Sequence, residues 1–144
     1  MKVERQVDLS APPERVYDVV MDSARLADWV TIHDHLDGNP PRRLEEGSRL
    51  TQYLKVAGRR FKVRWTVVEN DPCNRVVWEG RGPVGSHARV EYGFEENGGG
   101  TRFSYVNQYD LPGGPLGRLA ERTVARATAK ELDGSLQRLK ALVE

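Results

Sequence analysis

From about residue 115 to 143 the chain reads as one long helix, bulky along its apolar stripe at the far end and small-sided near its start, and it follows a run of alternating strands. At about 100° per residue, Val124, Ala125, Thr128, Leu132, Ser135, Leu136, Leu139, Leu142 and Val143 share one face, and Arg126, Lys130, Asp133, Gln137 and Lys140 lie opposite. Leu132, Leu136, Leu139 and Val143 supply enough volume for a dense core, whereas Glu121, Val124, Ala125 and Thr128 do not. A curved sheet gripping such a helix leaves a hollow where the helix side chains are small. Gly134 falls on the solvent side of the wheel and weakens the helix by about 1 kcal/mol relative to Ala, which leaves room for a bend or a close backbone contact.

The rest of the chain supplies that sheet. Residues 2–9 alternate as a strand, and Ser10-Ala11-Pro12-Pro13-Glu14 then offers a cap, two prolines suited to a first helical turn and an early acid. A short helix follows, with Val16, Val19 and Val20 on its apolar face. Asp22-Ser23 opens a second short helix carrying Leu26 and Trp29. The stretch His33 to Glu46, rich in Gly, Pro, Asn and charge, reads as a loop with one short strand near Leu44. Longer strands are expected at about 48–57, 60–70, 75–81, 86–96 and 101–110. The turns between them, Ala57-Gly58, Asn70-Asp71-Pro72, Gly82-Pro83-Val84-Gly85 and Asn97-Gly98-Gly99-Gly100, suit consecutive antiparallel hairpins.

Strand parity sorts the side chains into two faces. Leu50, Gln52, Leu54, Phe61, Val63, Trp65, Val67, Val76, Trp78, Val90, Tyr92, Phe94, Phe103, Tyr105, Asn107 and Tyr109 share one face; Arg49, Thr51, Lys55, Arg60, Lys62, Arg64, Thr66, Glu79, Arg89, Glu91 and Arg102 share the other. An antiparallel sheet with one wet face and one aromatic face must cover the latter, and the long helix is the element for it.

At 144 residues and 38% hydrophobic, the chain has the size of one ordinary domain, taken as 1–144. Twenty-two Lys and Arg against 21 Asp and Glu leave a net charge of +1, which removes the bulk-charge argument for nucleic acid. No apolar run approaches bilayer-spanning length, so membrane insertion is not expected either. The amino terminus enters alternation without an apolar signal core, and a cytoplasmic location is the expectation. Cys73 has no partner for an internal disulfide and no neighbouring base to activate it, so it reads as a free thiol in a turn.

The inner face carries many amphipathic groups: Gln52, Trp65, Trp78, Tyr92, Tyr105, Asn107 and Tyr109. Buried, each needs a hydrogen-bond partner, at a cost of about 1–3 kcal/mol when it lacks one. An internal cavity holding water or a ligand resolves that need. His33-Asp34-His35 is the densest titratable cluster, but a His-x-His pair without a third ligand at a recognisable spacing does not make a metal site, and a solvated loop or cavity mouth suits it better. His87 lies on the wet parity. Glu121 points along the inner stripe of the helix, where burial raises a carboxylate's pKa; near an open end it is solvated or paired with Arg118. No His-Glu-x-x-His, Walker loop, dinucleotide glycine fingerprint or nucleophile elbow is present, so no cofactor and no catalytic residue is assigned. The basic parity of Arg49, Lys55, Arg60, Lys62 and Arg64 is a weaker signal for RNA or a protein partner, diluted by interspersed acids and the lack of exposed aromatics. The expected ligand-binding set is therefore Trp29, His33, Gln52, Trp65, Trp78, Tyr92, Tyr105, Asn107 and Tyr109, with Glu121, Val124 and Thr128 from the helix.

The order strand, two short helices, antiparallel sheet and long terminal helix, with Ala11-Pro12-Pro13-Glu14-Arg15-Val16-Tyr17 opening the first helix and Trp29 closing the second, resembles the START-like (SRPBCC) superfamily. Within it, Trp29-Val30-Thr31-Ile32-His33, Leu44-Glu45-Glu46-Gly47 and Val63-Arg64-Trp65-Thr66-Val67 are similar to an actinobacterial polyketide cyclase/dehydrase-like subgroup, some of whose members are named as toxins of type II toxin–antitoxin pairs. The resemblance implies an α+β helix-grip fold: a curved antiparallel sheet of six to seven strands around the C-terminal helix, with two short helices after the first strand. It also implies a cavity for a lipid-like, polyketide or other aromatic ligand. The fold hosts carriers, cyclases and regulators alike. Aromatic cyclases of the superfamily place Arg, Tyr, His or Trp in the cavity; here Arg5 has inward parity and Tyr92, Tyr105 and Tyr109 supply hydroxyls. The functions implied are a non-enzymatic binder of a small hydrophobic ligand, a cyclase or dehydratase, and a toxin acting through its surface. In the last case the 33–46 loop meets an antitoxin or a second copy of the chain.

Overall fold

The computed structural model describes residues 1–56, 58–110 and 115–144, the side chains of 115–121 excepted. Ala57 of the Ala57-Gly58 turn, and the side chains of Glu121 and Arg118, thus lie outside the described residues. Seven strands form one antiparallel sheet: β1 (Lys2–Leu9), β2 (His33–Leu36), β3 (Arg49–Val56), β4 (Arg59–Asp71), β5 (Arg75–Arg81), β6 (His87–Asn97) and β7 (Gly100–Asp110). Their order is β1-β7-β6-β5-β4-β3-β2, so neighbours in sequence pair from β2 to β7 and β1 closes the far edge on β7, with Val3 opposite Asn107 and Val7 opposite Phe103. Between β1 and β2 come α1 (Pro13–Val20) and a single 3₁₀ turn at Ser23–Arg25 that runs into α2 (Leu26–Trp29). The chain ends in α3 (Pro115–Val143). This is the helix-grip architecture in its α+β form, and no helix among the described residues is long and apolar enough to cross a membrane.

Local chemistry explains most boundaries. Pro13 occupies the first turn of α1, where its missing N–H costs nothing, and the Pro12 carbonyl accepts from the Arg15 and Val16 amides. Ser10 is not the cap; its amide instead donates to the Glu144 carboxylate at 3.0 Å, tying the start of the chain to its end. Asp22 caps the 3₁₀ turn through the Ala24 amide. The short strand expected near Leu44 lies earlier, at His33–Leu36, where His33 pairs with Leu54 and Leu36 with Gln52 on the edge of β3. Near Leu44 there is an isolated bridge between Asp22 and Arg43, and Leu44 itself is a buried anchor whose amide donates to the Met21 carbonyl.

The register of β4 on β5 slips by one between Val67 and Glu69, leaving Val68 without a pairing partner and exposed. The shift places Val77 opposite Glu69, and Val77 is fully buried although its neighbours Val76 and Trp78 belong to the inner face. Arg75 pairs with Glu91 at 2.8 Å and approaches Glu69 at 3.7 Å, and Glu91 and Glu69 stand opposite Val77 on the two flanking strands.

The core lies between the inner face of the sheet and α1, α2 and the far half of α3. Leu132, Leu136, Leu139 and Val143 are all buried there, and α3 packs on β1, α1 and α2. Trp29 closes α2 at the centre of an aromatic cluster, with ring centroids 5.9 Å from Tyr92, 6.4 Å from Phe103 and 5.7 Å from Tyr105. Gly134 is not on open solvent: a Cβ there would meet Thr31 Cγ2 at 3.2 Å, so the glycine lets α3 lie close to the segment after α2. The Thr31 amide donates to Ser135 Oγ at 3.1 Å, and the Thr31 hydroxyl also bonds the Glu131 carboxylate.

Candidate functional site

The site follows from one consequence of pleating: alternate residues of neighbouring strands come side by side. Leu50 stands opposite Trp65, Gln52 opposite Val63, Trp78 opposite Val90, Tyr92 opposite Tyr105 and Val90 opposite Asn107. Together with Leu26, Val30 and Ile32 from α2 and the segment after it, and Leu54 from β3, these side chains enclose a hollow of about 70 Å³. That holds a few water molecules, well short of the roughly 300 Å³ at the lower end of small-molecule pockets.

Within the hollow a polar chain is fixed by the donor-only character of indole. Trp65 Nε1–H donates to Gln52 Oε1 at 2.9 Å, which turns the Gln52 amide nitrogen toward His33 Nδ1 at 2.8 Å. The amide is the donor there, so His33 accepts at Nδ1 and carries its proton on Nε2. Burial holds the His33 imidazole below its ordinary pKa and the neighbouring His35 adds to this, while Asp34 pulls the other way. The ring of Trp65 lies across Gly80, where an added Cβ would stand 2.6 Å from the indole Cε3.

Other polar atoms of the wall have no such partners. Trp78 Nε1 is buried without an acceptor among the described residues, as is Trp29 Nε1 beneath the wall. The rings of Trp78, Tyr92 and Tyr105 meet edge to face, at 6.2 Å for Trp78 with Tyr92 and 5.4 Å for Tyr92 with Tyr105. Burial pushes the Tyr92 hydroxyl well above its ordinary pKa, with Tyr105 adding to it, and burial raises that of Tyr105 as well. Both are hydrogen-bond donors and neither is a base at neutral pH. Among the described lining residues these two are the only titratable groups, and with them the wall can orient a carbonyl or hydroxyl.

The structure gathers Gln52, Trp65, Trp78, Tyr92, Tyr105 and Asn107 around one space. Trp29 lies deeper, fully buried, and does not line it. His33 reaches the wall through Gln52. Tyr109 and Thr128 bond each other at 2.8 Å, joining the end of β7 to α3, and Val124 is half-buried on the same stretch of helix. Arg5, of inward parity, pairs with Asp133 at 3.1 Å and is about 43% exposed, so it is a clasp at the helix side rather than a cavity group. The apolar walls Leu26, Val30, Ile32, Leu50, Leu54 and Val90 were absent from the expected set; strand parity had already placed Leu50, Leu54 and Val90 on this face. His35 turns away from His33, bonding Asp34 at 2.8 Å and stacking on Tyr53 at 4.4 Å. Cys73 sits in its turn at φ 62°, with its thiol pKa raised by burial and by the carboxylates of Glu14 and Asp18.

The chain has relatives among known proteins. A family described as "Polyketide cyclase / dehydrase and lipid transport" matches residues 1–144. The uncharacterized protein Rv1546 of Mycobacterium tuberculosis is 29% identical over 134 residues, covering 90% of this chain and 92% of its own. A second protein of that organism, Toxin Rv0910, is 27% identical over 138 residues, covering 94% and 93%. Among solved structures, TTHA0849 from Thermus thermophilus superposes with a TM-score of 0.79 at 22% identity, over 99% of this chain and 97% of that one, a likeness of fold.

Proposed function

The chain belongs to the polyketide cyclase/dehydrase and lipid transport family, and on that premise we propose that the hollow, lined by the sheet, α2 and the segment after it with no described α3 side chain on its wall, binds a small hydrophobic or aromatic ligand bearing a hydrogen-bond acceptor. The observation that carries this is Trp78 Nε1, a buried donor on the wall with no acceptor among the described residues. An unsatisfied buried donor costs about 1–3 kcal/mol, and a ligand carbonyl beside Tyr92 and Tyr105 would remove that cost while its apolar body meets Leu50, Leu54 and Val90. The ligand class is lipid-like or polyketide-like. We favour binding without turnover over cyclisation, because the described wall offers donors and no base. Titration of intrinsic tryptophan fluorescence with fatty acids and flat polyphenols, alongside native mass spectrometry, tests the proposal. Saturable quenching is expected, and silence across the panel in both measurements would refute it.

A second reading draws on a relative named as a toxin: a surface-acting role with a protein antitoxin as partner. Growth arrest on expression, relieved by co-expression of a small neighbouring protein, is its test; a harmless chain would set it aside.

A further inference from the structure

The outer face of the sheet is charged throughout but unevenly neutralised. Arg89 pairs with Glu79 at 3.2 Å, Arg75 with Glu91 at 2.8 Å and Arg102 with Asp8 at 3.2 Å. On β3, β4 and β5 the pattern changes: Arg49, Arg64 and Arg81 are exposed and make no ion pair among the described residues. Arg64 and Arg81 stand directly opposite each other in the β4–β5 register, and like charges so placed destabilise a sheet. All three arginines line a trough of about 940 Å³ that also includes Thr51, Thr66 and the exposed Val68, and that is bordered by Leu50, Trp65 and Tyr109 of the inner parity.

We propose that this trough docks an acidic segment of another polypeptide, whose carboxylates meet Arg49, Arg64 and Arg81. Guanidinium forks match carboxylates in a bidentate, planar geometry, and arginine is enriched where protein interfaces form. The other anionic macromolecule, a nucleic acid, fits less well, because Asp37, Glu79 and Asp110 share the trough and repel a backbone charged at every unit, whereas a peptide places its acids only opposite the arginines. The inference does not rest on the interior ligand, because Arg49, Arg64 and Arg81 border the trough and not the hollow, although Leu50 and Trp65 border both.

The test is fluorescence anisotropy of the full chain with a labelled Glu-Ser repeat peptide, against single-stranded RNA of matched length, at low and physiological salt. Saturable, salt-weakened binding of the peptide is expected. The double variant Arg64→Gln/Arg81→Gln should weaken it by roughly tenfold or more, the scale of a lost charge-assisted hydrogen bond. Arg126→Glu, an exposed change on α3, should leave it unchanged. The melting temperature of the double variant should hold or rise as the like-charge pair is relieved, which separates lost docking from lost folding. No saturable peptide binding, equal affinity in the double variant, or tighter binding of the RNA would each overturn the proposal.

Discussion

The two halves of α3 follow different packing rules on one continuous helix. From Leu132 onward the inner stripe is buried, and the end is clasped by the Arg15 Nε bond to the Val143 carbonyl at 3.0 Å and the Glu144 carboxylate on the Ser10 amide. Before Leu132, Val124, Ala125, Thr128 and Ala129 are only half-buried, and the Tyr109–Thr128 hydrogen bond joins that stretch to the sheet. One half sets where the helix lies; the other leaves its inner stripe partly uncovered.

The sharpest way to break this comparison is to truncate one side chain in each half. Leu139→Ala, at a fully buried site, should cost about 2–5 kcal/mol in urea unfolding, whereas Val124→Ala should cost less than about 1 kcal/mol. Equal costs would mean that the near half is packed as tightly as the far one. Next in size is Ser135→Ala, which removes the acceptor of the Thr31 amide and should cost about 1–2 kcal/mol in the same measurement. Thr128→Val, which breaks the bond to Tyr109, should cost about 0.5–1.5 kcal/mol.

A smaller effect is read from pH. The His33 pKa in the folded chain lies below the ordinary 6.5, chiefly through burial, so the unfolded chain binds that proton more readily. The contribution is complete above the ordinary value and is lost as pH falls through it toward the folded value. Thermal stability should therefore decline on acidification across that window, and His33→Gln should flatten the decline. An unchanged pH profile in the variant would remove His33 as the titrating group. The smallest expected effect is that of Tyr105→Phe, whose hydroxyl has no hydrogen-bond partner among the described residues. Its stability should change by less than about 0.5 kcal/mol while ligand quenching weakens severalfold.

Much of this molecule was legible because the strands alternate cleanly. Period-two parity alone placed Gln52, Trp65, Trp78, Tyr92, Tyr105 and Asn107 on one side, and the register brings them around one space. Helical periodicity likewise separated the bulky from the small half of α3. Legibility failed where position depends on contacts distant in sequence. Trp29, which closes the second helix, stood in the expected ligand-binding set, yet its depth is set by Tyr92, Phe103 and Tyr105 on strands far along the chain. The strand His33–Leu36 has no apolar alternation; it exists because the edge of β3 offers it hydrogen bonds. The size of the hollow was not readable either, since small helix residues permit space without stating how far neighbouring side chains close it. Beside the slip at Val68, Val77 is buried against parity, an outcome that no period predicts.

Gly80 gives one atom of backbone an influence on distant chemistry. With a methyl group there, the indole above it would have to tilt, and its grip on Gln52, hence the imidazole tautomer at His33, would go with it. Position 80 thus works as a spacer beneath a lever: relatives with a larger residue at this point should differ in the contour of the chamber and in the tautomer of its histidine together.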